Sequence, residues 1–400
     1  MIKPGTWLAK LNGMVTKTEL NLLERAQETL IGNLAVSDKD TPAPFPWYPL
    51  RGIRPSAVGY KGIWNWDAAF HALSISRWDP DLAREQVQIF MNAQLESGAL
   101  PDVLFMNGDI VTAFGKPPVF PWAMMEIDRR DTNDEFLSRV YECFTRYELF
   151  WMRERGGNSE GLFHYDSATQ DKDRRSTEAK YESGWDTSVR FDHAIYDLWA
   201  IDLNCYMVLL YKAMAYFAKR LGKDAGMQTW KNRAQTLSNA INAELWDKAS
   251  RCYFDRRRLH GPFTGILTPA SFMPLFAGIA PQDRANRMAD LAADPQKLFP
   301  GMPTVSYDHP AYSSNDYWRG PTWLNTAYFA VQGLINYGHF KTANSIRNVI
   351  LDWCAKNEDA IYEYYDSHSG KGCGMPHFGW SAAFIIEFIL NWKKTGCRTG

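Results

Sequence analysis

The chain has 400 residues, a formal net charge of −1 and 46% hydrophobic residues. That balance supports a large buried core and offers no basic face for nucleic acid or an anionic membrane surface. Six scattered cysteines (Cys143, Cys205, Cys252, Cys354, Cys373 and Cys397) form no Cys-x-x-Cys pair, so reduced, mostly buried thiols are expected rather than a disulfide framework. No run of about 18 apolar residues predicts a membrane span. Met1–Gly5 opens no apolar leader, so a cytoplasmic location is expected. The eight histidines lack metal-ligand spacing, and no Gly-rich phosphate loop or Gly-x-Ser-x-Gly occurs. No metal or cofactor is therefore expected.

Helical periodicity dominates. Apolar residues recur at Leu20, Leu22, Leu23, Ala26, Leu30 and Leu34, which predicts a helix over 18–35. Asp79-Pro80 reads as an N-cap with proline in the first turn, opening a helix over 80–97. Thr132-Asn133-Asp134-Glu135 has capping-box spacing before a segment at 132–154. The stretch 192–221 is apolar around much of its circumference, as in a buried inner helix. Further helices are predicted at 67–77, 117–129, 224–247, 269–279, 281–295, 320–337, 339–356 and 379–393. Short strands are expected at 161–165, 252–254 and 361–365, and Arg256-Arg257-Arg258 reads as a solvated turn. Twelve helices pair into six hairpins. The expected fold is all-α: one (α/α)6-barrel domain over 1–400, with short local strands in loops that carry function at one end.

Aromatic residues make up 14% of the chain, with 16 tryptophans, and many cluster beside acidic residues in four segments. These are Gly62-Ile63-Trp64-Asn65-Trp66-Asp67, Tyr181-Glu182-Ser183-Gly184-Trp185-Asp186-Thr187-Ser188, Asn315-Asp316-Tyr317-Trp318-Arg319-Gly320-Pro321 and Tyr362-Glu363-Tyr364-Tyr365-Asp366. Aromatic faces stack on pyranose C–H faces, carboxylates hold hydroxyls, and a further carboxylate pair does acid–base work. A carboxyl beside Trp185 can have its pKa raised by desolvation, as a general acid needs. The same cluster also reads as acidic residues answering a helix dipole, and for Asp192 that reading is preferred. An alternating strand would put Glu363 and Tyr365 on one face, leaving open whether Glu363 points inward or to solvent. Core packing competes with substrate contact at Trp323, and a structural role is preferred for His377. Arg51, Arg54, Lys61 and Arg319 are candidates for a substrate carboxylate, with surface charge the usual alternative.

Together the segments resemble the catalytic domain of the glycoside hydrolase family 63 group. That group includes processing α-glucosidases and the bacterial mannosylglycerate and glucosylglycerate hydrolases; trehalases are more distant relatives. The resemblance runs in order from about Trp64 to Trp380. Glu182–Ser188 looks like the family's Glu-Ser-Gly-Trp-Asp-Asn-Ser, whose Asp is the general acid, here Asp186. Glu363–Asp366 resembles Glu-Asn-Tyr-Asp, whose Glu is the general base, here Glu363. Trp66 and Asp67 match the pair that holds the sugar where cleavage occurs. Gln94, Gly98 and Pro101 fit the family's Gln-x-x-x-Gly-x-x-Pro step, and Tyr317–Pro321 and Phe378-Gly379-Trp380-Ser381 are also family-like. Thr187 and Tyr364 depart from the usual Asn, and Gly115-Lys116-Pro117-Pro118 matches a trehalase-like Ser-Gln-Pro-Pro only in part.

The resemblance implies an inverting α-glycosidase without a cofactor, acting on a short α-glucoside or α-mannoside. Asp186 and Glu363 would be catalytic. Trp66, Asp67, Gln94, Trp185, Tyr317, Trp318, Arg319, Trp323, His377 and Trp380 would bind substrate. The alternatives are a sugar epimerase or isomerase on the same barrel, using histidine, and a sugar-binding protein without catalysis. The expected partner is a small carbohydrate. Oligomeric state is not legible.

Overall fold

The computed structural model describes residues 5–37, 43–192 and 195–394. Cys397 lies outside them. The described chain is helix-rich, with short antiparallel strand pairs between helices. Six helical segments carry the packing that matters for the site. Asn65–Ile75 packs against Phe120–Arg130, which packs against Ile201–Arg220. That helix touches the short turn Met273–Phe276, which packs against Leu324–Asn336. Leu324–Asn336 packs on Gly379–Lys394, which returns to Asn65–Ile75. Outside them lie Lys17–Gly32, Pro80–Asn92, Asp224–Glu244 and Phe340–Lys356. Burial follows this order: all eleven residues of Asn65–Ile75 are buried, whereas Pro80–Asn92 buries one face.

Local sequence signals set most of these elements. Thr16 and Glu19 form a reciprocal capping box at the start of Lys17–Gly32. Asp79 caps Pro80–Asn92 by accepting the Leu82 amide, with Pro80 where its missing N–H costs nothing. The 134–154 helix is capped by Asn133, one residue past the expected Thr132, through the Phe136 amide at 2.9 Å.

Four expectations are corrected. The long inner helix starts at Ile201 rather than at 192, because Leu198–Trp199 pairs with Arg256–Arg257 as a strand and Asp255 accepts the Ile201 amide at 2.9 Å. Within the arginine run, Arg256 and Arg257 form a paired strand edge and only Arg258 opens a turn, and the three ion-pair with Glu244, Asp197 and Glu160 rather than being left to solvent. The helix expected from 320 starts at Leu324, because Thr322 and Tyr365 exchange backbone hydrogen bonds at 2.8 and 3.0 Å. Gly161–Tyr165 is irregular rather than a strand. A further helix, Lys172–Ser183, was not expected, since its charged surface shows no apolar period. Its signals are polar: the Asp171 N-cap and the i,i+4 pair Arg174–Glu178 at 2.6 Å.

All five described cysteines are unpaired thiols, four of them buried. Among the described residues, no helix is long and apolar enough to cross a membrane.

Candidate active site

Six stretches of chain converge on a cleft of about 110 Å³. Its lining includes Tyr60, Trp64, Trp66, Asp67, Lys116, Asp186, Tyr317, Trp318, Glu363 and Trp380. A larger cavity of about 930 Å³ lies beside the 224–244 helix and is lined by Lys212, Lys219 and Lys231, with no carboxylate among the described residues. Acid–base chemistry between carboxyl groups belongs to the smaller space.

Each carboxylate is delivered by a short, well-determined piece of backbone. The 172–183 helix ends at Gly184, whose φ of 75° is the left-handed termination that glycine permits. A Cβ there would lie 2.3 Å from the Trp66 ring, so Gly184 also lets the two segments touch. Ser183 accepts the Trp185 amide at 3.0 Å, and Asp186 follows directly. Glu363 comes from the strand pair Tyr362–Tyr365 and Gly372–Pro376. Burial alternates as expected, with Glu363 and Tyr365 inside. Glu363 accepts the Met375 amide at 3.0 Å and the Tyr60 hydroxyl at 3.4 Å. Gly374, at φ 71°, is again required: a Cβ would lie 2.5 Å from Glu363 Oε2.

Electrostatics separate the groups. Burial pushes the Glu363 carboxyl up to about 7; the Met375 amide and Tyr60 hydroxyl oppose this and the Asp186 charge adds to it. Burial also raises Asp186, opposed by the Lys116 charge. Asp67 is raised well above the carboxylate range by burial, again opposed by Lys116. Its Oδ1 is buried with no hydrogen-bond partner, as is Trp380 Nε1. Two cleft-lining residues thus carry a buried acceptor and a buried donor without a partner among the described residues.

The aromatic wall is a continuous stack. Trp318 lies 3.8 Å from Trp323 at 7°, and Trp323 stacks on Tyr364 at 4.8 Å. Trp185 also packs on Trp318, at 5.1 Å, and Trp66 meets Trp380 edge-on at 5.3 Å. Tyr317 sits at φ 37°, an uncommon conformation for a bulky residue, and its carbonyl accepts Trp323 Nε1 at 2.7 Å.

Of the expected substrate-binding residues, Trp66, Asp67, Tyr317, Trp318 and Trp380 line the cleft together with Asp186 and Glu363. Trp185 and Trp323 stand behind Trp318 as its packing support. Arg319 forms a two-pronged ion pair with Asp192 at 2.7 and 2.9 Å, and Arg51 pairs with Glu85 and Asp79. Gln94 ties a turn by donating to the Gly98 and Cys143 carbonyls, each at 2.9 Å. His377 is exposed and borders a different cavity, beside Arg25 and Asn33. Glu182, beside the acid segment, is buried in an ion pair with Arg155 at 2.8 Å. Sequence reading missed Tyr60 and Lys116 as cleft residues. Tyr60 lies two residues before the first aromatic segment, and Lys116 inside the partial Gly115–Pro118 match; proximity to those motifs was the available signal. Among the described residues, no group of three or more His, Cys, Asp or Glu is placed to hold a metal ion.

Residues 60–381 match the model of the mannosylglycerate hydrolase MGH1-like glycoside hydrolase domain. The chain belongs to this family. It is a glycoside hydrolase. A mannosylglycerate hydrolase of Rubrobacter radiotolerans is 25% identical over 84% of this chain and 92% of its own length. Its counterpart from Thermus thermophilus is 33% identical over 36% of this chain and 34% of its own length. In structure, the chain is similar to a GH63 mannosylglycerate hydrolase of Thermus thermophilus solved with glucose, with a TM-score of 0.76 at 21% identity, covering 91% of this chain and 99% of that one. Neutral trehalase of Saccharomyces cerevisiae has a TM-score of 0.71 at 18% identity, over 86% and 73% of the two chains.

Proposed function

We propose that this glycoside hydrolase is an inverting α-glycosidase built on an (α/α)6 barrel, with Asp186 as general acid and Glu363 as general base. The observation that carries the pair is their convergence from distant segments on one aromatic-walled cleft. Burial raises the Asp186 carboxyl, opposed by the Lys116 charge, which is the direction a group that gives its proton to the leaving oxygen needs. Glu363 is gripped by the Met375 amide and Tyr60 hydroxyl, with a carboxyl near 7 that takes a proton from water attacking the opposite face of the anomeric carbon. Asp67 accepts from sugar hydroxyls and positions the ring. The barrel reading is supported by the cyclic succession of helix contacts from Asn65–Ile75 round to Gly379–Lys394.

A cleft of about 110 Å³ is well below the roughly 300–1,000 Å³ of a drug-sized site. It suits one sugar ring, with a small aglycone outside, so short α-mannosides and α-glucosides are the substrates of choice. Mannosylglycerate leads the panel because the Rubrobacter relative carries that name. An epimerase using histidine is disfavoured, since no histidine lines the cleft among the described residues.

Proton NMR of early product tests the mechanism: an α-glycoside releases the β-sugar first. Release of the α-anomer first would mean that Glu363 acts as a nucleophile. Azide tests the roles: recovery of turnover in Asp67→Ala but not in Glu363→Ala would reverse the two assignments.

A further inference from the structure

Lys116 is the one cation among the described residues that line the cleft. It is buried, at 6% exposure, in the wall that also presents Asp67 and Asp186. Its backbone is held: Pro117 and Pro118 follow it, and its carbonyl accepts the Tyr147 hydroxyl at 3.0 Å. Its Nζ lies 3.2 Å from Asp102 Oδ1 and donates to the Tyr181 carbonyl. An ammonium has three N–H donors; the Tyr181 carbonyl takes one and the Asp102 ion pair engages at most one more. A buried donor left over is costly, more so when charged. In the same wall, Asp67 Oδ1 is a buried acceptor with no partner among the described residues. One spare donor and one spare acceptor facing a common space are complementary to hydroxyl groups, which both accept and donate. A carboxylate, which only accepts hydrogen bonds, has no hydrogen to give the Asp67 acceptor.

Resting on the glycosidase reading, we propose that Lys116 is a substrate-contacting, specificity-determining residue. Its third N–H donates to a hydroxyl of the sugar ring, while Asp67 accepts from the same hydroxyl or its neighbour. Asp102 is the positioning residue that fixes the ammonium. The ring bound here is a neutral hexose and not a uronic acid. The neutral Gln of the trehalase-like motif would supply a donor without the charge, so Lys116 sets this cleft apart.

The test measures kcat/KM for α-mannosyl fluoride, α-glucosyl fluoride and their 2-, 3-, 4- and 6-deoxy analogues. The fluorides need no knowledge of the natural aglycone. Wild type is compared with Lys116→Met and with Lys116→Met combined with Asp102→Asn, which leaves no buried carboxylate unpaired if the single variant folds poorly. A charged hydrogen bond lost from the transition state lowers kcat/KM on the preferred fluoride about 10- to 100-fold. The loss falls below about threefold on the one deoxy analogue that lacks the hydroxyl Lys116 binds. Equal losses on every analogue, or preference for a uronosyl fluoride, overturn the proposal. If wild type cleaves neither fluoride, tryptophan-fluorescence titration with the corresponding free sugars reads the same coupling. Coupling without cleavage leaves Lys116 standing and sinks the hydrolysis mechanism; no saturable sugar binding overturns the Lys116 contact itself.

Discussion

Two buried glutamates, Glu363 in the cleft and Glu387 beneath it, carry opposite solutions to the same problem. Glu387, on the 379–394 helix, accepts from Arg77 at 2.7 and 2.8 Å, Arg130 at 3.2 Å, Ser74 at 3.2 Å and Asn391 at 2.8 Å. Burial alone would raise it, but the Arg130 and Arg77 charges more than offset this and hold it at about 2. Glu363 meets an amide and a hydroxyl but no arginine, and burial drives it to about 7. One carboxylate is fully satisfied and ties helices together. The other is kept short of partners, which costs stability and leaves a proton free to move.

The comparison is broken most forcefully at the cleft. Glu363→Gln should lower kcat about 10²- to 10⁴-fold, as should Asp186→Asn, with Tm unchanged or higher. A variant retaining near-wild-type turnover would remove that residue from catalysis. At the other end, Glu387→Gln leaves Arg77 and Arg130 with an uncompensated buried charge. Denaturant unfolding should show a loss of about 3–5 kcal/mol, while kcat per folded molecule stays within about twofold, since Glu387 does not line the cleft.

The pH dependence should have opposite sign at the two sites. Glu387 is depressed from an ordinary 4.5 to about 2. Its contribution, about 3 kcal/mol at about 1.4 kcal/mol per pKa unit, is present above pH 4.5 and lost as pH falls toward 2. Glu363 is raised from 4.5 to about 7. Its cost is absent below pH 4.5 and grows as pH rises through 7. Glu363→Gln should therefore be more stable than wild type at pH 8, by about 1–3 kcal/mol, and nearly equal at pH 4. Chemical denaturation at the two pH values checks this. The smallest effect belongs to the Arg319–Asp192 pair, whose side chains are 24% and 45% exposed. Asp192→Asn should change stability by about 0.2–1 kcal/mol, less at high salt.

Local signals in the chain determined much of this protein. Capping residues such as Thr16, Glu19 and Asp79 close their hydrogen bonds within three residues, so the helix starts they set are readable from sequence. The period-2 pattern around Glu363 likewise foretold that it shares a face with Tyr365, and the fold decided that this face is the buried one. Four aromatic–acidic segments marked where the cleft would be built. What only the tertiary structure decided depends on partners far away in sequence. Asp255 and the 256–257 strand delay the inner helix to Ile201, and Tyr365 holds Thr322 out of the next one. The Gly98 and Cys143 carbonyls occupy Gln94, Asp192 holds Arg319, and Trp318 covers Trp185 and Trp323. Lys116 was hidden for the same reason: a lone lysine in sequence carries no sign that Asp102 and the Tyr181 carbonyl will pin it beside Asp67 and Asp186. Side-chain chemistry is local, but burial and electrostatic neighbours are set by the whole fold, and they decide which carboxylates hold helices together and which can exchange protons.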